Sequence, residues 1–390
     1  MGGNGLQDTK VVVGGNQSLN NQELEAKGFF SLNGNSYLQI DTSNFNQSLF
    51  TILGVAYNNI ELDSQPKWAV VGLTQDFSNS FIRYGSLGLY SMDGISWSSI
   101  QDSSFFDINL SNNGYAWKKI ASDNSNTWVS IGDQSTGSFI PNRKSASIST
   151  NSITTTNSWQ DISIVDSNEL QSYLYDIDYF NDTWVCVGNR KPTSTTPNVG
   201  GLWISSTSDP TDGWNTNEDI SYEKYLYRGL SHDNSGRFLI VGHISINPLT
   251  GKALFSQPNT DISLINSSWT DISDNNVNSP NTNWYDTAYS STKHKWVIVG
   301  NDSSGGKIVY NDDSSLNSWS VSDIKTDIDL SGLIFIRAVS WSNSLDKFIA
   351  IGETINRGII LSSSNGINWT KTGSSYDDLS GLKLLSIDSD

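Results

Sequence analysis

Asp176, Asp286, Lys118, Arg228 and Arg337 fall at corresponding places in short recurring segments: "WKKIASD" (117–123), "YDIDYF" (175–180), "YRGLSHD" (227–233), "YDTAYS" (285–290) and "IRAVSW" (336–341). Taken in chain order from Lys118, their charges alternate: plus, minus, plus, minus, plus. Two carboxylates flanking an arginine are the residue types of a hydrolytic site, in which one carboxyl protonates a leaving group while the other assists attack. An arginine beside a carboxylate favours its ionised form and lowers its pKa, which suits a general acid poorly. The alternation therefore reads as a ring of salt bridges and hydrogen bonds, with a binding site for a small charged ligand or a partner side chain as the functional alternative. No residue is assigned a catalytic role.

The remaining reactive residues add little. His232, His243 and His294 are scattered, and His232 reads as a packed or hydrogen-bonded histidine. Cys186 stands alone and mid-strand, so no disulfide within the chain and no cysteine metal cluster is expected. The acidic run "NDDSS" (311–315) lacks the spacing of an EF-hand loop, and neither metal nor cofactor is expected. A net charge of −17 disfavours nucleic acid and anionic lipid as partners. The first 30 residues carry no basic start followed by an apolar core, and no apolar run approaches the ~18 residues of a membrane span. Neither a signal peptide nor membrane insertion is expected.

The elements that must position the charged residues show themselves as a repeat. An aromatic followed four positions later by glycine occurs in "WAVVG" (68–72), "WVSIG" (128–132), "WVCVG" (184–188), "FLIVG" (238–242), "WVIVG" (296–300) and "FIAIG" (348–352). "KVVVG" (10–14) is a seventh copy with Lys10 at the aromatic position. Successive glycines lie 52 to 60 residues apart. Each copy alternates with period two and is apolar on both faces, as expected of a strand covered on both sides. The glycine is expected to end the strand and open a loop. The charged segments precede these copies, and a short strand, a polar turn and a tryptophan follow them.

Four strands per unit, repeated seven times, predict an all-β chain: a seven-bladed β-propeller in one domain spanning 1–390. The blades are expected at about 49–101, 115–164, 173–220, 225–273, 284–324 and 334–372. The closing blade combines 9–41 with 382–388, because the last copy of the charged-segment strand, "LLSIDSD" (384–390), has no glycine strand after it. The first strand of each blade lines the channel, placing Gly54, Lys118, Asp176, Arg228, Asp286, Arg337 and Leu385 at one level.

The turns carry a family resemblance. Ser91, Asp93, Gly94 and Trp97 in "LYSMDGISW", and Ser363, Asn365, Gly366 and Trp369 in "ILSSSNGINW", resemble the Asp-box repeat of bacterial neuraminidases. The resemblance implies a structural hairpin turn at the blade periphery. It does not imply sialidase activity: no Arg-Ile-Pro segment is present, and the seven arginines match no arginine triad. Seven-bladed relatives of this repeat include the photosystem II assembly factors, and similar repeats occur in bacterial and phage proteins.

The expected function is a non-enzymatic structural or protein-interaction propeller. Its Asn/Ser/Thr-rich composition with one cysteine resembles that of virus and phage particle proteins. A glycan-binding or glycan-processing propeller and an assembly factor of a larger complex are the alternatives. Protein partners are expected at long polar loops on one face, "GDQSTGSFIPNRKS" (132–145) and "NRKPTSTTPNVG" (189–200), where "FIP" (139–141) offers an apolar contact.

Overall fold

The computed structural model describes residues 11–19, 23–33, 36–39, 50–59, 65–76, 83–100, 117–132, 146–150, 153–154, 158–164, 171–191, 199–207, 210–211, 213–216, 225–244, 249–257, 269–312, 316–324, 332–372, 379 and 381–390. Among them the regular structure is almost entirely β, in seven sheets. Five sheets are built from four consecutive strands that pair antiparallel in chain order, and a sixth has the same arrangement with one parallel strand added at its edge. Their first strands, called inner strands below, are Phe50–Tyr57, Trp117–Ser122, Gln171–Phe180, Tyr225–His232, Asn283–Ser290 and Leu333–Ser342. In the remaining sheet the inner strand is Leu382–Ser389, paired antiparallel with Val11–Leu19 from the other end of the chain.

The two apolar faces of the glycine-containing second strands have a simple cause: each sheet packs between two others. Trp184 and Cys186 face Val129 and Ile131 of the preceding sheet. Val185 and Val187 face Leu230, Phe238 and Ile240 of the following one. Every step around the ring holds such an apolar cluster, including the seam, where Leu382, Leu384 and Ile387 meet Ile349 and Ile351. The repeat aromatics supply much of this area: Trp68, Trp184, Trp296 and Phe348 are fully buried, each large aromatic removing about 150–250 Å² from water. Each also meets an aromatic of its own inner strand: Tyr57–Trp68, Tyr179–Trp184, Tyr289–Trp296 and Trp341–Phe348 have ring centroids 4.7–4.9 Å apart. The fold is an all-β propeller.

Two expectations are corrected. The repeat glycine does not in general end its strand: the second strands run on to Asp76, Lys191, Ile244, Asp302 and Thr354. Also, Asp323–Ile324, expected within the unit ending at 324, pairs parallel with Asn368–Trp369 of the next sheet. Residues 133–145, with "FIP", and 192–198 of the expected loop at 189–200 lie outside the described residues, as do Lys10 and 313–315 of the acidic run, while 189–191 and 199–200 lie in strands.

Candidate functional site

Every inner strand carries a β-bulge. Its pairing with the second strand skips Leu53, Lys118, Tyr175, Arg228, Tyr285, Arg337 and, in the closing sheet, Leu385. In the six sheets other than the closing one the repeat glycine stands opposite the residue just before the bulge, as in Ile52–Gly72, Leu174–Gly188, Tyr227–Gly242, Trp284–Gly300 and Ile336–Gly352, whereas in the closing sheet Gly14 stands opposite Ser386, just after it. The buckled strand drives a carbonyl toward the glycine. A Cβ would lie 1.8 Å from Thr51 O at Gly72, 2.1 Å from Tyr173 O at Gly188 and 2.0 Å from Asn283 O at Gly300. No side chain fits there, so the bulge requires the glycine.

Because the extra residue shifts the facing of the strand, Lys118, Asp176, Arg228, Asp286 and Arg337 do not share a level. Lys118, Arg228 and Arg337 are bulged residues, in register with Tyr175 and Tyr285. Asp176 and Asp286 follow their bulges, in register with Lys119, Gly229, Ala338, Ser386 and Gly54. One expected ring is thus two rings, and the predicted pairing of Asp176 and Asp286 with the arginines does not occur.

From Lys118 to Arg337 the first ring alternates cation and aromatic, and Leu53 and Leu385 complete it. The Lys118 ammonium lies 4.6 Å, and the Arg228 guanidinium 4.2 Å, from the centroid of Tyr175. Arg337 lies 4.8 Å from the Phe335 centroid and 5.9 Å from that of Tyr285, and its Nη2 is 2.6 Å from Glu353 Oε1.

The second ring is a clasp between neighbouring inner strands, which share no ladder of their own. Asp176 Oδ2 accepts from Leu230 N–H of the next sheet (2.8 Å), and Oδ1 from Ile177 N–H (3.0 Å). Asp286 repeats this with Val339 N–H (3.0 Å) and Thr287 N–H (2.8 Å). Two residues beyond the register position of Ser386, Asp388 accepts from Tyr57 N–H (2.8 Å) and Ser389 N–H (2.8 Å). Glycine permits the close approach: a Cβ on Gly229 would lie 2.6 Å from Asp286 Cα, and one on Gly54 2.7 Å from Lys119 Cα. Lys119 Nζ lies 3.3 Å from Asp176 Oδ1. Burial opposes the charge on Lys119, but Asp176, Asp286 and Asp388 together raise its pKa above the ordinary value. Burial raises Asp176 against the pull of Lys119, and pushes Asp286 up to about 7 and Asp388 to about 6.

Beyond the clasp the channel opens into a cavity of about 320 Å³ lined by all seven inner strands. At its wall His232 Nδ1 and Asp178 Oδ2 are 2.7 Å apart. Burial opposes protonation of His232, and Asp178 more than compensates, raising its pKa. His232 is thus a hydrogen-bonded histidine, and Cys186 is fully buried in the core. The described residues contain no group of three or more His, Cys, Asp or Glu arranged to hold a metal ion.

The Asp-box-like turns lie away from the channel. Asp93 Oδ1 accepts from Ile95 N–H, Ser96 N–H and Ser91 Oγ–H at 2.8, 2.8 and 2.9 Å. Trp97 Nε1 donates to Gly94 O (3.1 Å), with Gly94 at φ 74°. Asn365 does the same with Ile367, Asn368 and Ser363, and Trp369 with Gly366.

Lys119, Asp178, Asp388, Tyr175 and Tyr285 escape a sequence reading. The adjacent Lys118–Lys119 and the paired acids of "YDID" mark the right segments, but only the bulge decides which member faces where.

No family model and no curated protein matches the sequence. Among solved structures the chain is similar to the periplasmic gluconolactonase PpgL of Pseudomonas aeruginosa, at 8% identity and TM-score 0.55 over 96% of this chain and 98% of that one. It is also similar to YCF48 bound to a D1 peptide (13%, TM-score 0.48, 95% and 97%). A third is the α-L-arabinofuranosidase Arb93A of Fusarium graminearum (10%, TM-score 0.45, 77% and 88%). At these identities the likeness is one of fold alone.

Proposed function

We propose that this chain is a seven-bladed, non-enzymatic interaction propeller, a structural component of a larger assembly, and that its channel carboxylates hold the ring together. The observation that carries this reading is the clasp. Each oxygen of Asp176, Asp286 and Asp388 accepts a backbone N–H, and one N–H in each pair comes from the neighbouring sheet. A general acid or nucleophile needs a carboxyl oxygen turned to substrate; these are turned to the backbone. The count of seven rests on seven sheets and seven interleaved apolar clusters. The particle-like composition supports a virion or comparable assembly as the setting.

Two measurements test the reading. Asp176→Ala and Asp286→Ala should each lower the melting temperature, while the unaltered protein stays silent on fluorogenic glycosides and lactones. Turnover that is lost in Asp286→Asn at an unchanged melting temperature would make the channel an active site. A mass-spectrometric inventory of purified particles should contain the chain, and its absence from every assembly removes the structural assignment.

A further inference from the structure

The bulged ring, mid-strand on the side of the clasp away from the cavity, contains a cation that no carboxylate among the described residues pairs with. Arg337 and Arg228 occupy equivalent bulges, and the residue after the repeat glycine stands near each. Beside Arg337 that residue is Glu353, buried and paired with it at 2.6 Å. Beside Arg228 it is His243, 7% exposed, whose Nδ1 has no hydrogen-bond partner. Burial first, and the nearby Arg228 second, hold His243 neutral, with its pKa down at about 4. Neutral imidazole cannot balance a guanidinium. Among the described residues Arg228 has no carboxylate partner, and its buried Nε has no acceptor. A second cation, Lys118, sits against the same Tyr175 ring. An arginine without a carboxylate among the described residues, beside a buried imidazole whose Nδ1 has no partner, is unexpected in a chain with net charge −17, which has carboxylates to offer.

We propose that this ring binds an oxyanion, a carboxylate or a phosphate group, between Arg228 and Lys118, with His243 as a neutral hydrogen-bonding partner. Stacking on Tyr175 occupies the flat face of the guanidinium and leaves its N–H edge to meet two oxygens side by side. Partial burial strengthens such a bond relative to water. Glu353 does not compete, being engaged by Arg337.

The test uses the full chain and the ring C–H resonances of its three histidines, with His243 assigned through His243→Asn. Titration with inorganic phosphate, and separately with acetate, should move the His243 resonance saturably, leave that of His294 in place and raise the His243 midpoint above about 4. Arg228→Gln should weaken the response at least tenfold, and Lys118→Gln severalfold. Lys118 is partly exposed at its bulge, so that variant keeps the test open if Arg228→Gln does not fold. A response to phosphate alone, or to acetate alone, identifies the group. No saturable shift with either anion up to about 50 mM, or an unchanged response in a folded variant, overturns the proposal.

Discussion

Asp388 Oδ2 accepts the Tyr57 N–H at 2.8 Å, so the last inner strand is fastened to the first across 331 residues of sequence. Ser386 Oγ accepts from Val55 N–H beside it (3.1 Å). The step from the closing sheet to the sheet of Phe50–Tyr57 therefore has a carboxylate clasp like those of the interior steps, while the chain's two ends are joined within the closing sheet by the pairing of Val11–Gln17 with Leu382–Ser389. Removing residues 381–390 deletes the clasp, the ladder and Leu382, Leu384 and Ile387 from the seam cluster. The truncated chain should lose its cooperative melt or aggregate, since it exposes a strand edge. Asp388→Ala, which leaves two N–H groups without their acceptor, should cost about 2–5 kcal/mol. Equal melting of the truncated and full chains would show that the seam contributes nothing to stability.

The clasp also predicts a pH dependence. Asp286 at about 7 and Asp388 at about 6 lie above the range of an unfolded aspartate. The native state then holds more protons than the unfolded one between roughly pH 4 and 7. Their contribution is full below the unfolded pKa and is lost as pH rises through the folded values. The Asp178–His232 pair acts in the same direction, because the His232 pKa is raised. Asp93 and Asp233, held low, act oppositely and lose their contribution only on stronger acidification. Thermal melts should show stability falling from pH 5 to 8, with a limiting slope of about 1.4 kcal/mol per pH unit for each group that titrates. Asp286→Asn should melt lower, because one amide oxygen replaces two acceptors, and with a flatter profile. An unchanged slope would remove Asp286 as its source.

The fit of glycine to bulge predicts a second contrast. At Gly188 an added methyl would stand 2.1 Å from Tyr173 O, whereas at Gly213, with φ 81°, it meets nothing within 4 Å. Gly188→Ala must flatten the bulge or displace the strand, at a cost of about 3 kcal/mol or more. Gly213→Ala bears only backbone strain, about 1 kcal/mol. Chemical denaturation of the two variants separates them. Equal costs would mean that the inner strand yields easily and that the glycine has another purpose.

The same geometry explains what the sequence revealed and what it concealed. Period-two alternation with two apolar faces identified the second strands, because burial between two sheets constrains every residue from Trp184 to Val187. The pairing of Leu382–Ser389 with Val11–Gln17 was legible from repeat spacing alone. The site was not. A bulge leaves no mark in its own strand, and its signature, the repeat glycine, lies on the neighbouring strand some 14 residues later, as with Leu174 and Gly188. Aligning inner strands without that offset merged Lys118 with Asp176, although Lys119 is the residue that contacts the carboxylate.

The two best Asp-box-like turns form a natural exchange experiment. Asp93 and Asn365 each hold three donors with one oxygen, Oδ1. Burial alone would raise the Asp93 carboxyl, but the Ser96 and Ile95 N–H groups outweigh it and hold its pKa low. The carboxamide of Asn365 supplies the same acceptor without charge, so the turn requires the oxygen and not the ionisation. Asp93→Asn should therefore be nearly neutral at pH 7, while Asp93→Ala should cost about 1–2 kcal/mol by releasing two backbone N–H groups and the Ser91 hydroxyl. Only the aspartate loses stabilisation as pH falls through its lowered folded pKa, so the two proteins, alike at pH 7, should separate below about pH 4 with the native aspartate the less stable. Unfolding curves at pH 7 and pH 3.5 measure both effects. A large penalty for Asp93→Asn at pH 7 would mean that the charge, rather than the shared oxygen, holds this turn together.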